Sequence, residues 1–280
     1  MEYKTILVHL DRGTRSVERL QLAFGLAAKF DAHLLGLFAL SRIDVSAFGL
    51  PDSGAQINEI QSRYRRVAAS AAEAMFRAAA ARNPGVKSEW RVTEDDAAEA
   101  VRLNARYADL IVIGQHDPDT HADAGIAPEF AGDVALATAR PVLLVPYAGR
   151  FAEIGNRVLV AWDGGREAAR AVADALPLLA GAQTVSVMVF DPERRPGKHG
   201  EIPGADFALY LARHGVKVSV SPQYGDSGDT GAQILSRAAD MAADLIVMGG
   251  YGHSRLRQVV FGGVTRTLLD SMKVPVLMSH

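Results

Sequence analysis

The second half of the chain carries glycines at a spacing that suits the binding of an anion. Gly249-Gly250-Tyr251-Gly252 comes first, and Phe261-Gly262-Gly263-Val264-Thr265 follows at the expected start of a helix. Glycine lets several backbone N–H groups converge on one oxyanion, because a Cβ would block the dihedral angles or the close approach. A helix that begins there adds free N–H donors and the positive end of its dipole. The spacing therefore predicts a loop that wraps a phosphate chain.

A carboxylate is expected beside this loop. Asp163-Gly164-Gly165 follows one apolar run, and Gly249 ends another. In an open α/β sheet, ligands lie beyond the carboxyl ends of the strands, where the winding direction reverses. With five strands in a flavodoxin-like order, that crevice lies beside strands one and four, which are these two runs. Asp163 is then placed to accept a hydrogen bond from a ribose hydroxyl or a base amine.

Both segments belong to the second of two sequence repeats. Ala108–Gly114 recurs as Ala243–Gly249, and Thr5–Asp11 corresponds to Arg157–Asp163. The first repeat carries an insertion that lies mostly within Ser41–Asn83. The repetition predicts two related domains, residues 1–148 and 155–280, joined by a short linker.

Each repeat alternates apolar runs with amphipathic helices. Continuous Val, Ile and Leu runs indicate parallel strands that are covered on both faces. Apolar stripes at helical spacing accompany them, at Val17, Leu20, Phe24 and Ala27 and at Val172, Ala175, Leu176 and Leu179. The predicted strands are Thr5–Leu10, Leu34–Leu40, Val86–Val92, Leu110–Gly114, Val142–Val145, Val158–Trp162, Thr184–Phe190, Val216–Ser221, Leu245–Gly249 and Val276–Met278. The fold class predicted is α/β, as two tandem doubly wound five-stranded parallel sheets of the flavodoxin- or Rossmann-like, nucleotide-binding type.

Composition excludes several functional classes. The chain of 280 residues has no cysteine, which excludes disulfides, thiolate metal sites and cysteine nucleophiles. Its net charge of −2 gives no long-range attraction to nucleic acid or to an anionic membrane. No uncharged apolar run approaches the roughly 20 residues of a membrane helix. We expect no nucleic-acid partner, no membrane span and a cytoplasmic location.

The glycine pattern resembles that of the universal stress protein family. That pattern is Gly, two residues, Gly, nine residues, Gly and then Ser or Thr, and here it reads Gly249-x2-Gly252-x9-Gly262-Gly263. The resemblance covers both repeats, and the strand before and the helix after the motif fit it. It implies a stress-response regulator that binds ATP, alone or with Mg²⁺, in residues 155–280, with slow hydrolysis at most.

The resemblance also implies which residues contact the nucleotide. Asp163 and the backbone around Val189 would contact adenosine, and the glycines with Val264 would hold the phosphates. His253 and Arg255 lie inside the loop and could neutralise the γ-phosphate. The full candidate set is Ala161, Trp162, Asp163, Val189, Met248, Gly249, Gly252, His253, Arg255, Gly262, Gly263, Val264 and Thr265. We assign no catalytic residue and no metal ligand.

Gly263 departs from the family pattern, which has Ser or Thr at this position. The backbone N–H remains, but one hydroxyl contact is lost, which is worth about 0.5–1.5 kcal/mol. Thr265 could compensate by capping the helix or by reaching the anion. We expect weaker binding that still survives.

The first repeat has lost the loop. Gln115-His116-Asp117-Pro118-Asp119 follows Gly114 with two carboxylates and no second glycine, and Pro128 and Glu129 stand where the helix-opening glycines would be. Carboxylates repel a triphosphate, and proline removes a donor N–H. We expect no ATP here. The resemblance implies that the two repeats pair with each other through their last strands, as two separate chains do in the dimers of this family. A homodimer of the whole chain is a further alternative.

Two other functions stay open at this stage. The same fold class hosts adenine-nucleotide hydrolases, and a structural interaction protein that binds no nucleotide would also fit a decayed site at Gly263. Gly225-Asp226-Ser227-Gly228 echoes a serine-protease loop but is better explained as the segment before a helix capped by Asp229 or Thr230. The His and Asp residues of segment 116–123 lack the spacing of a calcium loop, and His9 is expected to be a buried core histidine.

Overall fold

The computed structural model describes most of the chain as strands alternating with helices. The described residues are 2–40, 54–118, 126–190, 204–223, 229–250 and 263–280. Within this part of the chain, no helix combines the length and the apolar character that crossing a membrane requires.

All ten predicted strands are present, with ends shifted by at most two residues. The first repeat comprises β1 (Thr5–Leu10), α1 (Ser16–Phe30), β2 (His33–Phe38), α2 (Gly54–Arg82), β3 (Ser88–Val92), α3 (Ala97–Ala105), β4 (Leu110–Gly114), α4 (Phe130–Ala137) and β5 (Val142–Val145). The second comprises β6 (Arg157–Trp162), α5 (Arg166–Ala180), β7 (Thr184–Phe190), α6 (Ala205–Arg213), β8 (Val218–Gln223), α7 (Thr230–Asp240), β9 (Leu245–Gly249), α8 (Gly263–Ser271) and β10 (Val276–Ser279). The α/β fold with parallel sheets is therefore confirmed.

The strands form one ten-stranded sheet in the order β3-β2-β1-β4-β5-β10-β9-β6-β7-β8. Pairing is parallel within each repeat, whereas β5 and β10 are antiparallel, with Leu143 opposite Leu277. Each repeat has the order 3-2-1-4-5, which is the Rossmann type and not the flavodoxin-like order expected from the sequence. The winding direction still reverses between strands one and four, because β1 lies between β2 and β4. The crevice therefore stays where the sequence predicts it.

Helices cover both faces of the sheet. One face buries side chains of α1, α2, α5 and α6, such as Phe24 and Leu211, and the other buries side chains of α3, α4, α7 and α8, such as Phe130 and Leu268. Both clusters contain residues of both repeats, so each core layer continues across the β5–β10 contact. Alternate strand residues feed the two layers, which explains the uninterrupted apolar runs.

The apolar stripe predicted for α1 is partly wrong. Val17 is 39% exposed, whereas Ser16 and Arg19 are buried. The helix is turned so that these two polar side chains face the end of β1, where hydrogen bonds satisfy them. Hydrophobic periodicity could not show this, because it treats a buried arginine as a surface residue.

Candidate functional site

The strand ends of the second repeat bring six of the thirteen predicted residues together. Ala161 on β6 is paired with Met248 on β9, and Trp162 is paired with Val189 on β7. Asp163 follows β6, and Gly249 ends β9. Three adjacent strands therefore place their carboxyl-terminal residues along one edge of the sheet, at the reversal point.

Asp163 belongs to the tight turn between β6 and α5. Its Oδ1 accepts a hydrogen bond from the N–H of Gly165 at 2.8 Å. Gly164 has a φ of +70°, in the left-handed region that favours glycine. Glycine at this position lets the chain turn directly into α5, so the half-buried carboxylate stays at the mouth of the crevice.

Gly249 has a packing role that needs no ligand. A Cβ at this position would lie 2.6 Å from the carbonyl carbon of Glu167 and closer still to the N–H nitrogen of Ala168. The first turn of α5 thus packs directly on the end of β9, and only glycine permits that approach. Contact between Gly249 and a phosphate stays a prediction.

The described residues leave the start of α8 uncovered. Gly263 is exposed, and a Cβ built on it would meet none of their atoms within 4 Å. Val264 is half-buried, and Thr265 is only 3% exposed. Thr265 is thus far less exposed than Gly263, and its contact with a phosphate stays a prediction. Gly252, His253, Arg255 and Gly262 lie outside the described residues, so the loop itself stays a prediction.

The position of α8 is fixed by α7. Asp229 is the N-cap of α7 and accepts a hydrogen bond from the N–H of Gly231 at 2.9 Å, which confirms the predicted cap. Its second carboxylate oxygen accepts the hydroxyl of Thr267 at 2.5 Å. One aspartate therefore caps α7 and attaches α8 to it.

An aromatic stack that the sequence did not indicate lies at the end of β6. The rings of Trp162 and Phe207 are parallel within 7°, with their centroids 3.8 Å apart, and Tyr210 continues the stack at 6.0 Å. Phe207 lies on α6, and no local pattern relates it to Trp162. The stack orders the side chain that flanks Asp163.

A buried carboxylate also lies close to the crevice. Glu167, in the first turn of α5, is 8% exposed, and its Cβ would be 2.9 Å from a Cβ at position 249. Burial alone would raise the pKa of Glu167, but the hydrogen bond and charge of Arg166, a backbone hydrogen bond and the charge of His280 together outweigh it, and the pKa is lowered. Glu167 is therefore ionised at neutral pH, so an anion at this edge must be held by other groups.

In the first repeat, the protein's own polar side chains form a buried network at the end of β1. The Nη2 of Arg19 lies 2.7 Å from Oδ2 of Asp11 and donates to Oγ of Ser16 at 2.9 Å. Its Nε donates to the backbone oxygen of His9 at 2.8 Å. Burial alone would raise the pKa of Asp11, but the guanidinium of Arg19, together with His9 and the N–H of Gly13, outweighs it and the pKa is lowered. The result is a buried ion pair at the end of β1.

The second repeat lacks the groups that build this network. Ala168, Ala171 and Val172 are buried on α5 in the same pattern as Ser16, Arg19 and Leu20 on α1. Alanine thus replaces both the serine and the arginine, and Ala161 replaces His9. Of these polar groups, only the aspartate remains, as Asp163.

A small cleft remains beside the arginine network, at the ends of β1 and β4. It is lined in part by Asp11, Arg15, Arg19, Gln115 and His116. These polar and charged side chains come from the first repeat alone, where the sequence predicts no nucleotide. Among the described residues, no cluster of three or more His, Asp or Glu residues could hold a metal ion.

His9 is a fully buried histidine, as the sequence suggested. Its Nε2 lies 2.9 Å from the backbone oxygen of Ala39, and Nδ1 has no hydrogen-bond partner among the described residues. Burial lowers the pKa of His9 to about 4. The ring is therefore neutral at physiological pH, and it packs 4.7 Å from the ring of Phe130.

Comparisons with solved structures agree with this fold. A universal stress protein from Archaeoglobus fulgidus DSM 4304 matches with a TM-score of 0.71 and 18% identity, over 98% of this chain and 95% of that one. A putative universal stress protein from Pseudomonas aeruginosa UCBPP-PA14 matches with a TM-score of 0.59 and 17% identity, over 99% of this chain and 93% of that one. At this level of identity, the likeness concerns the fold alone.

Sequence comparisons identify the family. The curated relative "Universal stress protein Slr1230" from Synechocystis sp. is 27% identical over 175 residues, which are 60% of this chain and 57% of the relative. The match thus spans little more than half the length of that relative. The model of the universal stress protein family matches twice, at residues 2–146 and 155–280. Because these two matches cover nearly all of the sequence, the chain belongs to the universal stress protein family.

Proposed function

We propose that the second domain, residues 155–280, binds ATP or a related adenine nucleotide and that the protein regulates a stress response. The observation that carries this proposal is the contrast between the two crevices. In the first, Arg19 lies at the end of β1, where it pairs with Asp11 and donates to the backbone oxygen of His9. In the second, small side chains stand at the corresponding positions, and Asp163 remains half-buried at the opening.

The adenosine would lie along the ends of β6 and β7. Asp163 would accept a hydrogen bond from the ribose or from the adenine amine, beside Trp162 and the backbone of Val189. Ala161 and Met248, paired on the two central strands, would form the floor of this part of the site. The parallel stack of Trp162 on Phe207 would give the base an ordered apolar wall.

The phosphates would extend toward the start of α8. The first N–H groups of a helix have no intrahelical partners, and the dipole favours negative charge there. Gly263 is crowded by none of the described residues, which supports an accessible helix end. Mg²⁺, when bound with the nucleotide, would neutralise part of the phosphate charge. The remaining phosphate contacts proposed are Gly249, Gly252, His253, Arg255, Gly262, Val264 and Thr265.

The first domain, residues 1–148, is proposed to be a structural partner that binds no ATP in this mode. The antiparallel contact of β5 with β10 would hold the two domains as an internal pair in solution. We place the protein in the cytoplasm, and a homodimer of such chains is compatible with the exposed outer strands β3 and β8.

Nucleotide carried through purification tests the proposal directly. The protein is heat-denatured, and the supernatant is analysed for adenine nucleotides.

Gly252→Asp places a carboxylate in the predicted loop and should abolish ATP binding without changing the far-UV circular dichroism. Gly85→Asp is the matched control, because position 85 is exposed and has nothing within 4 Å of its Cβ. A Gly252→Asp variant with full affinity would refute the loop assignment.

Hydrolysis should be slow at most. Multiple-turnover release of ADP at about 1 per second, abolished by Asp163→Ala, would identify an enzyme instead of a regulatory binding module. A protein that neither releases nor binds adenine nucleotide would be a structural interaction protein.

A further inference from the structure

A side chain of the first domain caps the end of α8, the helix that would hold the phosphates. Nε2 of Gln115, the residue that follows β4, donates a hydrogen bond to the backbone oxygen of Leu269 at 2.8 Å. Leu269 lies in the last turn of α8, where the carbonyl groups have no partner within the helix. Gln115 therefore supplies, from the other domain, a C-terminal cap for α8.

Gln115 is itself held in one orientation. Its side chain is almost fully buried, and Oε1 accepts a hydrogen bond from the N–H of Tyr147 at 3.1 Å. Its own N–H donates to the backbone oxygen of Val145 at 2.9 Å. Both ends of the amide are thus committed, and a buried polar group that loses its partner costs about 1–3 kcal/mol. The contact with α8 is a fixed feature of the domain boundary.

The second domain cannot make the same contact with the first, because its corresponding residue is a glycine. In the second domain, the residue after β9 is Gly250, whose N–H donates to the backbone oxygen of Ser279 at 2.9 Å. This bond parallels the one from Gln115 to Val145 and shows that the two positions correspond. Since glycine has no side chain, position 250 cannot cap α4 as Gln115 caps α8. The first domain therefore holds α8 of the second domain, whereas position 250 of the second domain does not hold α4 of the first.

Two hydrogen bonds hold α8, one from within the second domain and one from the first domain. Within the second domain, Thr267 is attached to Asp229 at the N-cap of α7. Across the domain boundary, Leu269 is attached to Gln115. Gly263 lies six residues before Leu269, about 9 Å along the helix at 1.5 Å per residue. A helix this short moves as a rigid rod, so its C-terminal cap also sets where its N-terminus points.

We propose that Gln115 is a positioning residue for the nucleotide site: it pre-orders α8 so that the N–H groups at Gly263 face the phosphates. This inference rests on the proposed function of the second domain. Without the cap, the helix would sample more orientations, and the nucleotide would have to order it on binding. The first domain then has a role in binding although it holds no nucleotide.

Gln115→Met tests this role, because it keeps the length of the side chain and removes both hydrogen bonds. Calorimetric titration should show ATP binding weakened about three- to tenfold, in the range of mutations that alter coupling between sites. Hydrogen exchange of the nucleotide-free variant should be faster in Gly263–Ser271, with Leu245–Gly249 unchanged. Gln115→Glu keeps an acceptor for Tyr147 but loses the donor to Leu269, so it should weaken binding similarly.

Tyr3→Phe is the matched control. It removes another hydrogen bond between the domains, from Tyr3 Oη to the backbone oxygen of Asp174 on α5 at 2.7 Å, and should leave ATP affinity unchanged. Equal weakening in Tyr3→Phe, or wild-type affinity in Gln115→Met, would overturn the positioning role. If hydrogen exchange in α8 were unchanged in Gln115→Met, Gln115 would not stabilise this helix, whether or not nucleotide binds. A wild-type protein that binds no ATP would instead remove the proposed function.

Discussion

The guanidinium of Arg19 lies 2.7 Å from the carboxylate of Asp11, with the two side chains 3% and 4% exposed. This ion pair occupies the end of β1, the position at which β6 ends in Asp163. Gly114 lies against the guanidinium, since a Cβ at that position would collide with Nη1 of Arg19. The same topological position therefore holds an internal cation in one domain and small side chains in the other.

Arg19→Met should lower the free energy of unfolding by about 3–5 kcal/mol, because it leaves the carboxylate of Asp11 buried without its cation. Urea denaturation followed by circular dichroism measures the effect. The double variant Asp11→Asn/Arg19→Met should be less destabilised than Arg19→Met alone, since it removes the unpaired charge. A loss below about 1 kcal/mol in the single variant would show that Asp11 finds another partner or becomes hydrated.

His9 should make the stability depend on pH below neutrality. Its pKa is about 4 in the folded protein, whereas an unfolded histidine titrates near 6.5. Between these values the unfolded chain binds a proton that the folded chain does not, so stability falls as the pH is lowered from about 6.5 to 4. The contribution reaches about 3 kcal/mol at the lower end. The lowered pKa of Asp11 acts only at more acidic pH, where protonation of that carboxyl removes its stabilising effect.

His9→Gln keeps a donor for the backbone oxygen of Ala39 and does not titrate. Denaturation midpoints measured from pH 7 to pH 4 should therefore change less in the variant than in the wild type. Superimposable pH profiles would show that His9 is protonated in the folded state or does not carry this dependence.

Gly249→Ala should destabilise the second domain even without nucleotide. The added methyl group would collide with the backbone of Glu167 and Ala168, and overpacking of this kind costs about 1–3 kcal/mol. Gly263→Ala should stay within about 0.5 kcal/mol of the wild type, because its methyl group meets no atom of the described part of the chain within 4 Å. Thermal denaturation of the two variants side by side separates the glycine needed for packing from the one that packing does not require. Equal stability in both would contradict the close packing of α5 on β9.

Gly263→Ser restores the hydroxyl group of the family pattern. One added hydrogen bond is worth about 0.5–1.5 kcal/mol, so ATP should bind about 2- to 12-fold more tightly. The measurement is a dissociation constant from calorimetry, with Gly263→Ala as the control that adds bulk without a hydroxyl. Weaker binding by the serine variant than by the alanine variant would mean that the phosphates do not reach the start of α8.

Much of the fold could be predicted from sequence, because buried parallel strands are uninterrupted apolar runs. The order of the strands could not, since such a run does not specify its neighbours, and the sheet has the order 3-2-1-4-5. The structure confirms the predicted position of the reversal point, between strands one and four. Within the site, the turn at Asp163 followed from its glycines, which report backbone geometry directly.

Contacts between residues that lie far apart in the sequence could not be predicted. Nothing local distinguishes the buried Arg19 from a surface arginine, because its environment depends on Asp11 and on the backbone of His9. Phe207 meets Trp162 only after α6 packs on the sheet. Gln115 reaches Leu269 only because β5 pairs with β10. Each of these side chains obtains its role from tertiary structure.

Calorimetric titration of the intact chain with ATP, analysed for stoichiometry, is the decisive measurement. Binding at one site per chain, lost in Gly252→Asp and retained in Gly85→Asp, is the predicted result. Two sites would show that a nucleotide can displace the Arg19–Asp11 pair, and no binding would leave the glycines of the second domain with a packing role alone.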